Sequence, residues 1–289
     1  MGVGVASGRV DAGEGGACLI EHRRSARVFG VFAWYTRGLF GRKFSGVRFE
    51  RSSLERMCSF TAGGGPMVML GNHQSWWDPL VAVLVTGEVI PERKMLAVMD
   101  AAELERFAIF RRLGVFGVDP DDPASQGVMV SYLERLFAAD ESQAFWITPQ
   151  GRFTDVRAPI RLRPGAAAVA ARLGGVRVGC VHMDYVFWNE PKPELLIRFE
   201  EVDVPDRLTT TGWLRTMTAA MERNRERCGA LAVARDAGPF VTIAGRGGAG
   251  ASGVYGAWLR LRGRAGELGA RRVGSAEGGP GGPVSGGAS

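Results

Sequence analysis

One stretch of the chain combines the pattern of a buried strand, a turn and the start of a helix: Val68-Met-Leu-Gly-Asn-His-Gln-Ser-Trp-Trp-Asp-Pro-Leu80. Its apolar start predicts a buried strand that stops at Gly71-Asn72, a pair suited to a tight turn, and Pro79 is well placed to begin the apolar helix that follows. His73 and Asp78 lie between the two elements, at a strand end, where functional side chains gather. An imidazole there takes up a proton near neutral pH, and a carboxylate on its other nitrogen fixes the tautomer and stabilises the imidazolium. Two interpretations stay open at this point: a catalytic His–Asp pair, and the plainer one of a strand-end histidine that only bonds an aspartate.

Helix and strand patterns alternate after this stretch. Such alternation predicts an α/β fold with a largely parallel sheet flanked by helices. The predicted helices are 79–85, 100–112, 124–138, 164–173 and 209–227, and the predicted strands are 94–99, 113–118, 144–148, 176–183 and 195–200.

Composition excludes several classes of protein. The chain has 289 residues, of which 46% are hydrophobic, as in an ordinary globular protein. Its four cysteines are scattered without a C-x-x-C pair, which argues against a disulfide framework or a zinc site and fits a reducing compartment. The sequence shows neither a secretory segment nor a run approaching the roughly 18 apolar residues of a spanning helix. We expect no metal, no cofactor, and a cytoplasmic protein that is peripheral on the inner face of the membrane.

The net charge of +6 is concentrated at the two ends of the chain. From 18 to 48 there are seven basic residues and one acidic residue, and from 245 to 289 there are six arginines and two glutamates. The rest is mildly acidic. A nucleic-acid-binding protein would carry its positive charge on a folded binding face and show a recognisable motif, so we expect no nucleic-acid partner.

The chain divides into four predicted regions. Residues 1–16 are rich in glycine and small residues, which predicts disorder. Residues 17–49 form a basic amphipathic helical segment, residues 50–236 the main domain, and residues 237–289 a Gly-rich, mostly disordered, flexible C-terminal tail with a weak helical island at 255–262.

Apolar side chains in the 17–49 segment follow helical spacing at Val28, Phe32, Tyr35 and Leu39, with arginines at both ends. Such a helix is suited to an anionic membrane surface, which we predict as a partner. The alternative is an ordinary helix packed on the domain with solvated arginines.

Asn72-His73-x-x-x-x-Asp78-Pro79 resembles the first motif of the glycerolipid acyltransferases, the family that includes lysophosphatidic acid acyltransferases. A second match is Ile147-Thr-Pro-Gln-Gly-Arg-Phe-Thr-Asp155, which resembles the family's third motif, usually Phe-Pro-Glu-Gly-Thr-Arg. Pro149 and Gly151 agree with that motif. Gln150 replaces the glutamate, and Arg152 and Phe153 stand where threonine and arginine are usual.

These residues suggest a binding loop after the strand. Gly151 permits close approach of backbone to a ligand, Arg152 can bind an anion with a bidentate fork, and Gln150 can hydrogen-bond a hydroxyl but supplies no charge. The plainer interpretation is a strand-to-loop turn with a solvated arginine.

The segment Arg161-Leu-Arg-Pro-Gly165 resembles the basic helix start that follows the third motif in the family. A helix N-terminus at Gly165 beside Arg161 and Arg163 suits an anion, although a helix that simply packs its alanine face on the sheet explains the pattern equally well.

The second and fourth family motifs are weak here. Gly117-Val-Asp-Pro-Asp-Asp122 is acidic where the second motif has an arginine, and Arg111 and Arg112 are possible replacements, although a solvated helix end is the simpler reading. The fourth motif corresponds to 178–183 without its proline. We interpret His182 and Asp184 there as a structural pair.

The resemblance implies transfer of a fatty acyl group from acyl-CoA or acyl carrier protein to a lipid hydroxyl. It implies His73 as the general base, oriented by Asp78, without a covalent enzyme intermediate and without a metal. Asn72, Pro149, Gln150, Gly151, Arg152, Arg161, Arg163 and Gly165 are the predicted substrate-binding residues. Backbone N–H groups near the first motif or at Gly151 are candidates for stabilising the oxyanion.

The acceptor that the family most directly suggests is a lysophospholipid or glycerol-phosphate type lipid. The missing glutamate and arginine leave open a glycolipid or glycosylated terpenoid acceptor. Two hypotheses of other classes are a catalytically silent membrane-binding module and a hydrolase of acyl thioesters.

Overall fold

The computed structural model describes residues 19–245. Its strands are β1 (Leu19–Ile20), β2 (Gly46–Glu50), β3 (Met67–Gly71), β4 (Lys94–Asp100), β5 (Val115–Val118), β6 (Gln143–Ile147), β7 (Arg177–Val186), β8 (Glu194–Glu201) and β9 (Phe240–Gly245). Its helices are α1 (Ala26–Lys43), α2 (Arg51–Ala62), α3 (Asp78–Glu88), α4 (Ala101–Arg106), α5 (Ser125–Ala139), α6 (Gly165–Leu173) and α7 (Thr210–Ala234), with a 3-10 helix at Ala108–Leu113.

The described strands form one sheet in the order β1-β5-β4-β6-β3-β7-β8-β2-β9. Strands β5, β4, β6, β3 and β7 run parallel to one another, and β2 runs parallel to β8. The pairs β1–β5, β7–β8 and β2–β9 are antiparallel. The prediction of a largely parallel α/β sheet is confirmed, and β3 lies at its centre.

Helices cover both faces of this sheet, and β3 shows why. Met67 and Met69 point to one face and Val68 and Leu70 to the other, and all four are fully buried. The first pair belongs to a core with α1, α2 and α3, and the second to a core with α5, α6 and α7. A strand buried on both faces reads as a continuous apolar run, as the sequence does here.

The ten predicted helices and strands after β3 occur in the structure. The largest internal difference is at 100–112, where α4 ends at Arg106 and the chain continues as the 3-10 helix to Leu113. Gly114 follows with φ 106° and an ideal Cβ there would lie 2.1 Å from the Met95 carbonyl oxygen, so only glycine fits this turn.

The predicted domain limits at 50 and 236 are too narrow. Strand β2 is an interior strand between β8 and β9, and β9 begins inside the segment assigned to the tail. The glycine-rich composition hid β9, because its apolar residues are few and its pairing partner β2 is about 190 positions earlier in the chain. The predicted disordered region 1–16 and the helical island 255–262 lie outside the described residues.

Helix α1 occurs where the amphipathic segment was predicted, but the side chains that it buries are not the ones whose spacing predicted the helix. Phe29, Ala33, Thr36 and Phe40 are buried against the sheet and α3. Of the predicted outward stripe, Val28 and Phe32 pack against this core. The exposed large side chains are Val31, Trp34 and Tyr35. Among residues 19–245, every helix is too short or too polar to span a lipid bilayer.

Candidate active site

His73 lies just beyond the carboxyl end of β3, and Asp78 is the first residue of α3. The Nδ1 atom of His73 is 2.9 Å from Oδ2 of Asp78. The histidine side chain is 20% exposed, whereas the aspartate side chain is fully buried. Nδ1 is thus tied to the carboxylate, and Nε2 makes no hydrogen bond within the described chain.

Four donors hold the Asp78 carboxylate. Besides His73, Oδ2 accepts from the backbone N–H of Gln74 at 2.7 Å and of Ser75 at 2.9 Å. Oδ1 accepts from the Tyr185 hydroxyl at 2.8 Å. The carboxylate also lies at the N-terminus of α3, where the helix dipole favours a negative charge. A carboxylate bonded in this way fixes the orientation of the His73 ring and favours the tautomer with a proton on Nδ1.

Tyr185 was not predicted from the sequence. It lies on β7, and burial together with the Asp78 carboxylate raises its pKa, so its hydroxyl keeps its proton and donates. Period-two alternation along β7 places Tyr185 on the same face as Met183, but nothing in the sequence specified which carboxylate it meets. An aromatic wall that includes Phe44 and Trp77 packs around it.

The turn between β3 and α3 is fastened to β7. Asn72 donates through Nδ2 to the Met183 carbonyl at 2.9 Å and accepts from the Met183 N–H at 2.8 Å. Gln74 donates to the same carbonyl at 2.7 Å. The Asn72 side chain was predicted to bind substrate, but it is buried and both of its polar atoms are used, so it positions the turn instead.

The third motif is fastened to the same turn. Gln150 is buried, and its Oε1 accepts from the His73 N–H at 2.8 Å, while the Thr154 N–H donates to the His73 carbonyl at 2.7 Å. Gln150 was predicted to contact substrate. Its oxygen holds the backbone of the proposed base, a task that needs an acceptor and no charge. The residue also lines the cavity of the basic residues, so its contact with substrate stays a prediction.

Phe153 covers one face of the His73 imidazole, with ring centroids 4.4 Å apart. Trp76 packs on Phe153 at 5.3 Å. Both are exposed, Phe153 by 47% and Trp76 by 83%. The mouth of the site is therefore aromatic at the position where the family motif usually has arginine.

The predicted basic residues meet in one place. Arg152, Arg161 and Arg163 line a cavity of about 360 Å³, together with Gln150 and the 154–162 loop. None of the three guanidinium groups makes an ion pair within the described residues. Gln150 borders this cavity and also bonds the His73 backbone, so it connects the cavity lining with the turn that holds the proposed base.

Three predicted residues have mainly backbone roles. Gly151 has φ 66°, and an ideal Cβ there would lie 2.7 Å from Cδ of Arg163, so the glycine gives room to that arginine. The Pro149 carbonyl accepts from the Arg163 N–H at 2.7 Å. Gly165 begins α6 and does not line the cavity.

The backbone groups proposed for the oxyanion are already engaged. The N–H groups of Gln74 and Ser75 bond Asp78, that of His73 bonds Gln150, and that of Gly151 bonds the Thr148 carbonyl at 3.1 Å. In this arrangement they stabilise the site. Stabilisation of an oxyanion requires other donors.

The charged residues of the second motif make contacts elsewhere. Asp119 and Asp122 accept from backbone N–H groups two residues onward and so stabilise local turns, and Arg111 donates to the Glu21 carbonyl. In the part of the chain described, no group of three His, Cys, Asp or Glu residues is arranged to hold a metal ion.

Comparison with known proteins agrees with the first and third motifs. Residues 40–183, about half of the chain, match the family model described as Acyltransferase. The chain belongs to the acyltransferase family. Among solved structures, it is similar to the 1-acyl-sn-glycerophosphate (LPA) acyltransferase PlsC from Thermotoga maritima, with 15% identity and a TM-score of 0.47 over 70% of this chain and 79% of that one. No curated protein sequence matches it significantly.

The matched segment of this acyltransferase begins at Phe40 and ends at Met183. It therefore contains the turn between β3 and α3 and the third motif that is bonded to it. It includes the end of α1, whose Phe40 and Phe44 pack on Trp77 with ring centroids 5.4 and 5.0 Å apart. The α1 segment that the sequence suggested as a separate unit therefore contributes to the acyltransferase core.

Proposed function

We propose that this enzyme transfers a fatty acyl group from a thioester, carried by coenzyme A or acyl carrier protein, to a hydroxyl of a lysophospholipid or glycerol-phosphate type lipid. The observation that carries the proposal is His73, whose Nδ1 is bound to a buried carboxylate and whose Nε2 makes no hydrogen bond within the described residues. Its backbone is bonded to Gln150, which lines the cavity of the three arginines.

In the proposed reaction, Nε2 of His73 takes the proton of the acceptor hydroxyl as its oxygen attacks the thioester carbonyl. The Asp78 carboxylate stabilises the imidazolium that forms. The tetrahedral intermediate then expels the thiolate, and the imidazolium returns the proton to sulfur. The oxygen–carbon bond formed replaces the carbon–sulfur bond broken, and no covalent enzyme intermediate is needed.

The arginine-lined cavity supports an anionic acceptor or donor. Arg152, Arg161 and Arg163 present planar guanidinium forks, which match phosphate oxygens. A phosphate held there would place the glycerol part of the acceptor towards Gln150 and His73, since Gln150 borders both.

Phe153 favours a second acceptor class. It puts an aromatic ring on His73 where the family has arginine, and Gln150 offers no negative charge to orient a polyol. Exposed aromatic rings such as Phe153 and Trp76 suit an apolar or sugar surface. A glycolipid or glycosylated terpenoid is the corresponding alternative acceptor for the same chemistry.

We also propose that the enzyme works at a membrane, on its inner, cytoplasmic face. Val31, Trp34 and Tyr35 are 68%, 75% and 48% exposed on α1. Exposed arginines and Lys43 lie on the same helix. Aromatic rings beside cations are typical of a helix that rests in an anionic membrane interface.

The test is thioester release by the purified full chain with acyl-CoA or acyl carrier protein as donor. Acceptors are lysophosphatidic acid, other lysophospholipids and glycosylated lipids, each assayed also with His73→Leu. We expect release that depends on one acceptor class and is lost in the variant. Release without acceptor, with free fatty acid as product, would show a hydrolase. No turnover by wild type with any donor and acceptor, while vesicles still bind, would support the silent membrane module.

A further inference from the structure

A groove of about 1080 Å³ lies beside α1, enclosed by this helix, the end of α3 and β9. Its lining extends from Arg24, two residues before the helix, to Arg42 near its end. A helix of 18 residues is roughly 27 Å long, so the groove follows most of it. No residue of the first or third motif lines it. We call it the α1 groove.

The α1 groove exists because glycines leave the helix bare. An ideal Cβ at Gly30 meets no atom within 4 Å, and one at Gly38 meets only the Arg42 side chain, at 3.9 Å. Both positions therefore face open space that a larger side chain would fill without a clash.

The polar lining of the groove is cationic. It contains Arg24, Arg37 and Arg42 against a single acid, Glu88, which pairs with Arg37. The side chains of Arg24 and Arg42 make no ion pair or hydrogen bond within residues 19–245. The Nε atom of Arg24 is buried without an acceptor, and a buried donor of this kind carries a free-energy cost until it is bonded.

The remaining lining is apolar. Phe29, Ala33, Ile243 and Ala244 contribute to it, and the exposed Trp34 lies at its edge. Arg24 is stacked over Phe29, with its guanidinium carbon 5.3 Å from the ring centroid. An elongated apolar groove with unpaired cations fits an amphiphile that has an anionic head and a long hydrocarbon chain.

We propose that the α1 groove binds one anionic phospholipid molecule, with its phosphate on Arg24 and an acyl chain lying along α1 past Gly30 and Gly38. This lipid is neither acyl donor nor acceptor. It is a bound component of the membrane that anchors α1, whose exposed Trp34 borders the groove.

The C-terminal segment of the chain is a less suitable occupant, although Gly245 at the end of β9 lines the groove. Residues 246–289 carry six arginines and two glutamates. A basic segment would be repelled by the unpaired Arg24 and Arg42, whereas a lipid phosphate is attracted to them.

The test measures binding of a short-chain phosphatidylglycerol, kept below its micelle-forming concentration, to the full chain by calorimetry. Short-chain phosphatidylcholine and glycerol phosphate are the comparison ligands. We expect phosphatidylglycerol to bind in preference to both. Equal binding of glycerol phosphate would show an anion site without a lipid chain, and no binding of phosphatidylglycerol would show that the groove holds no lipid; either result overturns the proposal.

Two variants assign the binding to the groove. Gly30→Leu fills it, and Arg24→Gln removes the proposed phosphate ligand; we expect each to weaken phosphatidylglycerol binding by about tenfold or more. Gly229→Leu, at a helical glycine whose Cβ also meets nothing within 4 Å, and Arg215→Gln, an exposed arginine of α7, are the matched controls. Unchanged affinity in both groove variants would refute the assignment.

The proposed acyl transfer can fail without affecting this inference. His73→Leu should bind phosphatidylglycerol as the wild type does, because His73 does not line the groove. Conversely, Gly30→Leu should retain acyl transfer to an acceptor supplied as monomers. Loss of phosphatidylglycerol binding in His73→Leu would place the lipid in the active site and not in the α1 groove.

Discussion

Two histidine–aspartate pairs lie on neighbouring strands of this sheet, and their side chains have different surroundings. His73 and Asp78 follow β3, and their side chains are joined at 2.9 Å. His182 and Asp184 are two residues apart on the adjacent β7, and both are buried. Within the described residues, no hydrogen bond joins the second pair, and His182 Nε2 has no partner at all.

The environment of each pair decides what it can do. Burial, with Arg225 and Arg198 nearby, lowers the pKa of His182 to about 3, and burial raises the pKa of Asp184. That histidine stays neutral at physiological pH and is only 3% exposed. His73 combines a fastened Nδ1 with an accessible edge. Close spacing of histidine and aspartate therefore indicates little until one ring nitrogen is bonded and the other is exposed.

The same substitution in both pairs tests most directly which histidine takes part in acyl transfer. His73→Leu removes the proposed base and should lower the acyl-transfer rate by about 10³-fold. His182→Leu should leave the rate near that of the wild type. Thioester release under saturating acceptor measures both. Comparable losses in the two variants would remove the distinction between the pairs.

The next largest expected effect on kcat comes from substitution of the aspartates in the two pairs. Asp78→Asn keeps one acceptor for the Gln74 and Ser75 N–H groups but removes the charge that stabilises the imidazolium, so we expect kcat to fall by about 10²-fold. Asp184→Asn should not change kcat, since Asp184 makes no contact with His73. A full rate in Asp78→Asn would contradict the role of Asp78 and leave His73 acting alone.

The local structure around His73 and Asp78 could largely be predicted from the sequence. The run 68–70 on a strand buried on both faces, the turn at Gly71-Asn72 and the start of α3 are local features, and local rules found them. The His73–Asp78 contact follows from those features because both residues belong to one short turn. The same reasoning gave His182 and Asp184 a structural role, which stays a prediction, since no hydrogen bond joins them within the described residues.

Contacts between distant segments were beyond sequence reasoning. The sequence did not predict that the amides of Asn72 and Gln150 bond Met183 and the His73 backbone, partners 111 and 77 positions away. Tyr185 meets Asp78 across 107 positions. Strands β2 and β9 are also stabilised by distant partners rather than by a strong local pattern.

Tyr185 donates a hydrogen bond to Asp78, and within the described residues no tyrosine hydroxyl bonds Asp184 in the same way. Tyr185→Phe removes the hydroxyl that donates to Asp78 Oδ1 while it keeps the ring packed against Phe44. A hydrogen bond to a charged group contributes about 1.5–3 kcal/mol, so we expect roughly a tenfold fall in kcat with KM unchanged. A change in KM alone would assign Tyr185 to substrate binding.

The smallest expected effect is a change in the free energy of unfolding with pH, caused by His182. Its pKa is about 3 in the folded protein and about 6.5 when unfolded, so below pH 6.5 the unfolded state binds a proton that the folded state does not. The wild type should therefore lose stability as the pH falls from 7 to 5, by about 2 kcal/mol from this residue. His182→Leu abolishes that contribution, and its advantage over the wild type in urea unfolding should grow by this amount at pH 5. Parallel pH profiles for wild type and His182→Leu would mean that His182 takes up its proton in the folded state, and the contrast between a buried neutral histidine and an accessible paired one would be lost.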